Sequence, residues 1–134
     1  MLKDILAISG KPGLYKLLKK MPNAFIVESI SDKKRFPVYA DSRVLSLEDI
    51  SIYTNDGELP LRDIYKRFDK ETDSLPTVSK KSETKTLVSY FEFIVPEYDK
   101  SRVYASDIKK VLQWYKILSD NRLLHLIEEE KGEE

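Results

Sequence analysis

The side chains that could perform chemistry are few in this sequence, and they do not form a catalytic pattern. The single histidine, His125, lies between two leucines and has no second histidine at the i+4 spacing of a zinc-binding helix. The chain lacks cysteine, which excludes thiolate nucleophiles, disulfides and cysteine-bound metals. Glu48 and Asp49 are adjacent, so on a strand they would point to opposite faces. We therefore predict no catalytic residue, no metal site, no cofactor and no enzymatic activity. An enzyme whose site only the fold assembles stays as an alternative.

Ser9–Gly13, with the sequence SGKPG, has some features of a phosphate-binding loop. In a Walker loop the lysine precedes Ser or Thr and the loop amides open a helix, whereas Lys11 precedes Pro12, which has no amide hydrogen. Two glycines and a proline within five residues instead predict a turn.

Charge is distributed unevenly, although the net charge is zero. Residues 1–47 carry nine basic and four acidic side chains, and residues 69–134 carry eleven basic and fourteen acidic ones. A basic set near Tyr15, Phe36 and Tyr39 forms a candidate polyanion-binding surface, with Lys16 beside it: Lys11, Lys19, Lys20, Lys33, Lys34 and Arg35. The alternative is a solvated rim of lysines around a core of aromatics. RNA binding requires that these basic side chains share one face with an exposed aromatic residue.

The first sixty residues predict short strands separated by turns. Pro37 places its strand at an edge, and Ser31–Lys34 and Asn55–Gly57 are expected to be turns. The strand segments are Leu2–Ser9, Ala24–Ile30, Arg35–Ala40, Arg43–Leu47 and Ile50–Thr54. The stretch GLYKLLKK, which starts at Gly13, fits neither the helical nor the strand period. The expected architecture is α+β: a five-stranded SH3-like antiparallel β-barrel with a capping helix formed by Leu61, Ile64, Tyr65 and Phe68.

The second half predicts helices. One apolar stripe ends at Pro96, and a second begins after Ser106, the expected N-cap, and ends near Asn121. The stripes are Leu87, Tyr90, Phe91, Ile94 and Val95, then Ile108, Val111, Leu112, Tyr115 and Leu118. The expected organisation is a barrel domain with its capping helix (1–68), a linker (69–83), a helical module resembling a helix-turn-helix pair (84–127) and a disordered acidic tail (128–134). We hypothesise that this tail folds back on the basic half.

Tyr104 and Trp114 are the candidate partner-binding residues, because aromatic side chains dominate interface hot spots. Trp114 lies at the boundary of the apolar stripe of its helix, so packing within the chain is the alternative. The resulting hypothesis is a non-catalytic interaction or adaptor protein with a protein partner. Nucleic-acid binding, most plausibly of RNA, is its main alternative, and the oligomeric state is left open.

Five segments together resemble an uncharacterised protein family from Bacteroidota, domain-of-unknown-function family 5606. They are LKDILAISGKPGLYKL, FIVESISDKKRFPVYA, VLSLEDISIYT, LPLRDIY and RVYASDIKKVLQWYKIL. The resemblance implies an N-terminal β-rich domain, a C-terminal helical domain and a cytoplasmic bacterial setting, and it supplies no catalytic residue. The sequence also lacks a signal-peptide pattern and a membrane span, so a cytoplasmic location without membrane contact is expected.

Overall fold

The computed structural model describes residues 2–39, 42–71 and 83–128. The chain divides into two compact units, one formed by Met1–Ile50 with Ile117–Glu134 and the other by Ser51–Lys116. Each unit has its own antiparallel sheet, with five strands in the first and two in the second. The fold is therefore mixed α+β, as predicted. The helix that follows Pro60 falls in the second unit, whereas the sequence-based division groups it with the barrel.

The five strands of the first unit are joined by short connections. They are β1 (Ile5–Ile8), β2 (Lys11–Met21), β3 (Ala24–Ser29), β4 (Arg35–Tyr39) and β5 (Val44–Ser46), in the order β4-β3-β2-β1-β5. Two 3₁₀ helices, Leu2–Asp4 and Leu47–Asp49, flank this sheet in the sequence. Within the described residues β4 and β5 are edge strands, so the closed barrel stays a prediction. Pro37 does lie in an edge strand, as expected, because it has no amide hydrogen to donate.

Two tight connections hold the strand register. The turn between β1 and β2 is Ser9-Gly10, and Gly10 supplies its positive φ of 82°. This turn is shorter than the predicted one, because Lys11, Pro12 and Gly13 already belong to β2. The loop between β3 and β4 contains the predicted turn Ser31–Lys34.

One face of the five-stranded sheet carries a hydrophobic cluster of the first unit. Its buried residues form a single cluster with partly buried hydrophobic neighbours: Leu6, Ile8, Tyr15, Val27 and Val38, with Leu17, Phe25, Phe36 and Val44. Tyr15 and Phe36 meet edge to face at 5.5 Å between ring centroids, and the Tyr15 hydroxyl donates to the Pro12 carbonyl at 2.9 Å. The residues of opposite parity on these strands lie on the other face of the sheet.

The second unit begins with a hairpin and continues with helices. Its elements are β6 (Ser51–Thr54), β7 (Gly57–Pro60), α1 (Leu61–Lys70), α2 (Thr84–Ile94) and α3 (Ala105–Asp120), which begins in this unit. The turn between β6 and β7 lies where Asn55–Gly57 predicts it. Every residue of the three predicted apolar stripes is buried, which confirms the helix predictions. A fourth helix, α4 (His125–Glu128), follows in the first unit.

An aromatic cluster forms the centre of the second unit. The ring of Phe68 lies 5.7 Å from Tyr65, 5.6 Å from Tyr90 and 5.2 Å from Tyr115, measured between centroids. The Tyr65 hydroxyl donates to the Val111 carbonyl at 2.8 Å, and burial raises the pKa of Tyr65 well above its ordinary value. The Tyr115 hydroxyl donates to the Asp69 carboxylate. The pKa of Tyr115 is raised mainly by burial and, to a smaller extent, by this hydrogen bond. These hydroxyls therefore stay protonated and serve as packing and hydrogen-bonding groups.

The start of α3 differs from its prediction. The amide of Ile108 donates to the Tyr104 carbonyl, so Tyr104 rather than Ser106 occupies the N-cap position. The Tyr104 amide in turn donates to the Asp107 carboxylate at 3.0 Å, which is the reciprocal half of a capping box. The Asp107 carboxylate bonds the amide of the residue three positions earlier, which makes Tyr104 the N-cap and places Ser106 in the first turn.

The predicted linker and tail lie largely outside the described residues. Within them, Asp69 and Lys70 belong to α1, Glu83 precedes α2 and Glu128 ends α4. Among the helices of the described ranges, none has the length and apolar composition that a bilayer crossing requires.

Candidate interaction surfaces

The first candidate surface lies on the face of the first sheet that is opposite the cluster around Val27, at the end formed by β2, β3 and β4. Residues paired directly across an antiparallel ladder project to the same side, so the register defines rows of neighbours across β2, β3 and β4. Three rows follow one another: Lys16–Glu28–Arg35, Lys19–Ile26–Pro37 and Met21–Ala24–Tyr39. We call these nine residues the open face. Neighbouring rows lie about 7 Å apart and neighbouring strands about 5 Å apart.

The apolar end of the open face is a shallow notch. Met21 is 46% exposed and Tyr39 is 61% exposed, and they flank the smaller Ala24 on either side. Their strands are about 10 Å apart, which leaves room for one aliphatic side chain above Ala24. Ile26 and Pro37 continue the apolar surface in the next row. Neighbouring exposed hydrophobic side chains of this kind are typical of interaction sites.

The other end of the open face is charged. Arg35 Nε donates to Glu28 Oε2 at 2.9 Å, and Lys16 lies on the other side of Glu28. Lys19 lies one row nearer the notch and is exposed. Three cations and one carboxylate give this surface a net charge of +2, because Lys16, Lys19 and Arg35 outnumber Glu28.

The same side of the sheet is buried at its other end. Ile5 pairs with Lys16, and strand alternation places Leu14 and Ile30 on this side as well. Ile5, Leu14 and Ile30 are each at most 2% exposed. The open face is therefore the solvent-facing part of a surface whose remainder is covered.

The structure separates the predicted polyanion-binding residues into three groups. Lys19 and Arg35 lie on the open face with the exposed Tyr39, but the other four do not, so the requirement that the basic side chains share one face with an exposed aromatic is not met by the set as a whole. Lys20 pairs with Phe25 and lies on the opposite face, and Lys11 lies on that face too, with Nζ 4.6 Å from the centroid of the Phe36 ring. Lys33 and Lys34 are in the loop between β3 and β4, where Lys33 has a φ of 65°.

Sequence reasoning missed Met21 as part of a surface. The signal was the two-residue connection Pro22-Asn23, which pairs Met21 with Ala24 and sets the register as far as Lys19, where it shifts.

The second candidate surface lies in the second unit, next to β6. Residues 97–99 extend the hairpin: the Asn55 amide donates to the Glu97 carbonyl at 3.0 Å and the Asp99 amide donates to the Tyr53 carbonyl at 2.9 Å. The chain then reverses in a turn that Asp99 organises. Its carboxylate accepts hydrogen bonds from the Ser101 amide at 2.9 Å, the Ser101 hydroxyl at 2.6 Å and Arg102 Nε at 2.8 Å.

This turn fixes the position of the Arg102 guanidinium. Its Cζ lies 4.4 Å from the centroid of the Tyr53 ring, in a cation–π contact. The Arg102 side chain remains 53% exposed and Tyr53 44% exposed. The hydrogen bonds from Ser101 and Arg102 lower the pKa of Asp99 to about 2, so its carboxylate stays ionised at neutral pH.

The two predicted partner-binding aromatics have different environments. Tyr104 is 65% exposed, whereas Trp114 is half-buried. Ten residues of helix separate them, which corresponds to about 15 Å along the axis. They are therefore too far apart to form one small hot spot, and Tyr104 is the exposed one.

The residues that could take part in catalysis or in metal or phosphate binding are dispersed. His125 is exposed at the first position of α4. Across residues 2–39, 42–71 and 83–128, no three His, Asp or Glu side chains come together as metal ligands. Ser9 and Lys11 of the SGKPG segment lead into strand β2 rather than into a helix, so they lack the helix N-terminus of a phosphate-binding loop.

The fold defines a mixed α+β protein with a β-rich N-terminal part and a helical C-terminal part. Residues 2–47 match the family model described as domain of unknown function DUF5606, and residues 50–118 match the one described as domain of unknown function DUF6852. The chain therefore belongs to the DUF5606 and DUF6852 families, which confirms the resemblance found in the sequence. The two matches meet close to the border between Ile50 and Ser51 that separates the structural units.

A solved structure agrees with this assignment. A solution NMR structure of a protein from Bacteroides vulgatus, from a structural genomics consortium, has a sequence 44% identical to this chain. The similarity covers 92% of this chain and 89% of that one, with a TM-score of 0.72. No match was found among the curated proteins.

Proposed function

We propose that this protein is a non-catalytic interaction module that binds a protein partner through the open face. The observation that carries the proposal is the row Met21–Ala24–Tyr39, an exposed apolar notch one row from Lys19. Interfaces combine an apolar anchor with surrounding polar groups in this way.

The charges on the open face favour one kind of partner segment. An apolar side chain would fill the notch above Ala24, and acidic side chains would face Lys19 and Lys16. The notch and the Lys16 row are about 14 Å apart, which equals about four residues of extended chain. The proposed ligand is therefore an acidic protein segment with one apolar anchor.

Two further features belong to this proposal. The strand order β4-β3-β2-β1-β5, with a buried cluster drawn from β1 to β4 and the partly buried Val44 of β5 packed against it, supports an SH3-like barrel for the first unit. SH3-like barrels expose loops and strand faces to ligands, consistent with an adaptor. The cytoplasmic location expected from the sequence fits a partner inside the cell.

RNA is the alternative ligand. Tyr39 shares the open face with Lys16, Lys19 and Arg35, and an exposed aromatic beside cations can stack a base while the cations contact phosphates. The protein-partner proposal is preferred because Met21 adds apolar rather than charged area to the open face, whereas Glu28, between Lys16 and Arg35, repels phosphates and carboxylates alike.

A pull-down of the tagged full-length chain from a lysate of its native cells tests both ligands. It is repeated with nuclease, at low and moderate salt, and with Lys19→Glu and Tyr39→Ser. Lys20→Glu is the matched control, since it makes the same charge change on the adjacent residue of the opposite face.

The proposal requires a protein that survives nuclease, is lost with Lys19→Glu and Tyr39→Ser, and is retained with Lys20→Glu. Its binding region should contain the acidic and apolar residues described above. Loss of the complex with nuclease, and steeply with salt, would instead establish the RNA alternative. Capture that is indifferent to both open-face variants would refute the use of this surface.

A further inference from the structure

We infer that Arg102 and Tyr53 form a second binding site, which recognises a carboxylate group of a protein ligand. This site lies within the second unit and does not depend on the open face, so the inference and the proposed function can be tested independently. Neither Arg102 nor Tyr53 was singled out by its sequence context.

The geometry of Arg102 is that of an arginine held ready for a ligand. Its Nε donates a hydrogen bond to the Asp99 carboxylate at 2.8 Å, and the Cζ of its guanidinium lies over the Tyr53 ring. Among the described residues, no hydrogen-bond acceptor lies within reach of its two terminal nitrogens. A guanidinium used on its Nε side still presents two parallel N–H groups at its far end, and these match the two oxygens of one carboxylate.

The turn makes this arrangement rigid before any ligand arrives. The amides of Arg102 and Val103 both donate to the Asp99 carbonyl, at 3.1 Å and 2.9 Å, while the Asp99 side chain holds Ser101. Arginine normally loses much rotamer freedom when it binds. Here that loss has already occurred in the free protein, which strengthens binding.

The surrounding charges favour a carboxylate over a phosphate. Asp99 offsets the charge of Arg102 directly, and the Asp107 carboxylate accepts a hydrogen bond from the amide of Tyr104, which is close to Arg102 in the sequence. Doubling the ligand charge doubles its attraction to Arg102 as well as its repulsion by the two carboxylates. Because the three groups together carry a net charge of −1, the net repulsion on a phosphate dianion is about twice that on a carboxylate monoanion. The exposed Tyr104 ring, two residues along the chain from Arg102, offers contact area for an apolar side chain of the ligand.

The test is a titration of the ¹⁵N-labelled full-length chain followed by NMR, with the Arg102 Nε–H signal as the reporter. One probe is the blocked peptide N-acetyl-Leu-Glu-Leu-amide, and its neutral twin carries Gln in place of Glu. Inorganic phosphate is the third probe. The variants are Arg102→Ala and Arg102→Lys, with Lys100→Ala as the control, since Lys100 is an exposed cation in the same turn that pairs with Glu92.

The Glu peptide should shift the Arg102 Nε–H signal and the amides of residues 99–104 saturably, with a Kd of about 1–10 mM, typical of one charge-assisted pair. Both Arg102 variants should bind at least about tenfold more weakly, and Lys100→Ala should bind as the parent does. Arg102→Lys keeps the positive charge but lacks the two parallel N–H groups. It therefore separates recognition by these groups from attraction to a positive charge, even if Arg102→Ala disturbs the turn.

Four results would overturn the inference. They are equal shifts with the Gln peptide, tighter binding of phosphate than of the Glu peptide, an undiminished affinity in Arg102→Lys, and the absence of a saturable shift up to about 50 mM probe.

Discussion

Arg67 donates from both terminal nitrogens to the carboxylate of Glu97, at 2.9 Å each, and one of these nitrogens also donates to the Ile94 carbonyl at 3.1 Å. The arginine thereby joins α1 to the end of α2 and to the segment that pairs with β6. The hydrogen bonds to Glu97 raise the pKa of Arg67, and the same contact lowers the pKa of Glu97.

Arg67→Ala should lower the free energy of unfolding by about 1–2 kcal/mol. Both side chains are more than a third exposed, so the ion pair itself contributes about 0.2–1 kcal/mol. The lost hydrogen bond to the carbonyl at the end of α2 adds about 1 kcal/mol. Urea unfolding of Arg67→Ala measures the sum. Lys100→Ala, which breaks an exposed pair with Glu92, is the control and should cost less. An equal cost for the two variants would contradict a specific role for Arg67.

Asp99 should make stability depend on pH in the acid range. Its pKa is about 2 in the folded protein against an ordinary 3.8, so the folded state binds fewer protons between these values. The stabilisation is complete above about pH 4 and is lost as the pH falls from 3.8 towards 2. Comparing the pH dependence of Tm with that of Asp99→Asn checks this. The variant should lose that part of the acid dependence, and identical profiles would argue against the Asp99 contacts.

Arg122→Gly should stabilise the end of α3. The Leu123 amide donates to the Leu118 carbonyl at 2.8 Å and the Arg122 amide to the Ser119 carbonyl at 3.2 Å, which is a Schellman motif with Arg122 at the left-handed position. Its φ of 59° costs a residue with a Cβ about 1 kcal/mol that glycine does not incur. Thermal unfolding should show a higher Tm for Arg122→Gly. Arg122→Ala keeps the Cβ and should show none of the gain; a gain with alanine would point to removal of charge instead.

Tyr65→Phe should cost about 1–2 kcal/mol, because it removes a fully buried hydroxyl that donates to the Val111 carbonyl. Tyr104→Phe makes the same chemical change on an exposed ring and should cost almost nothing. Denaturant unfolding of both variants gives the difference directly. Equal effects would mean that the buried hydrogen bond contributes no net stability.

The helices were predictable because their burial follows the helical period. Leu61, Ile64, Tyr65 and Phe68 recur on one side of α1, and all four are buried. Pro96 and Asn121 lie just beyond the ends of α2 and α3, as the stop signals indicated. The N-cap of α3 was misplaced because the sequence offered Ser106 as a better capping side chain than Tyr104, while the reciprocal bond to Asp107 decided the position.

Strand β2 was not recognised because its alternation is broken. The register shifts between Leu17 and Lys19, so Leu17 faces the core with Val27 while Lys19 pairs with Ile26 on the other side. The residue left unpaired between them reverses the parity of the strand. A second irregularity, between Leu6 and Ile8, accommodates Pro12 and Gly13. Neither the strand period nor the helical period is therefore detectable in the sequence of this stretch.

The candidate surfaces were only partly accessible from the sequence. Basic residues and Tyr39 were identified by type, but their distribution between two faces depends on the bulge and on the pairing of β3 with β4. The Arg102 site could have been suspected from Asp99 and Ser101, since Asp followed two residues later by Ser is typical of a side-chain-stabilised turn. The contact with Tyr53, 49 positions earlier in the chain, required the fold.

The most direct test of the account is photo-crosslinking in native cells with a benzophenone side chain at position 39. Position 93 is the matched control, since Phe93 is 64% exposed and Tyr39 61% exposed. The account predicts a nuclease-resistant protein adduct at position 39 that is absent at position 93, weakened by Lys19→Glu and unchanged by Lys20→Glu. An adduct that nuclease removes, or no adduct above that at position 93, would contradict protein binding by the open face.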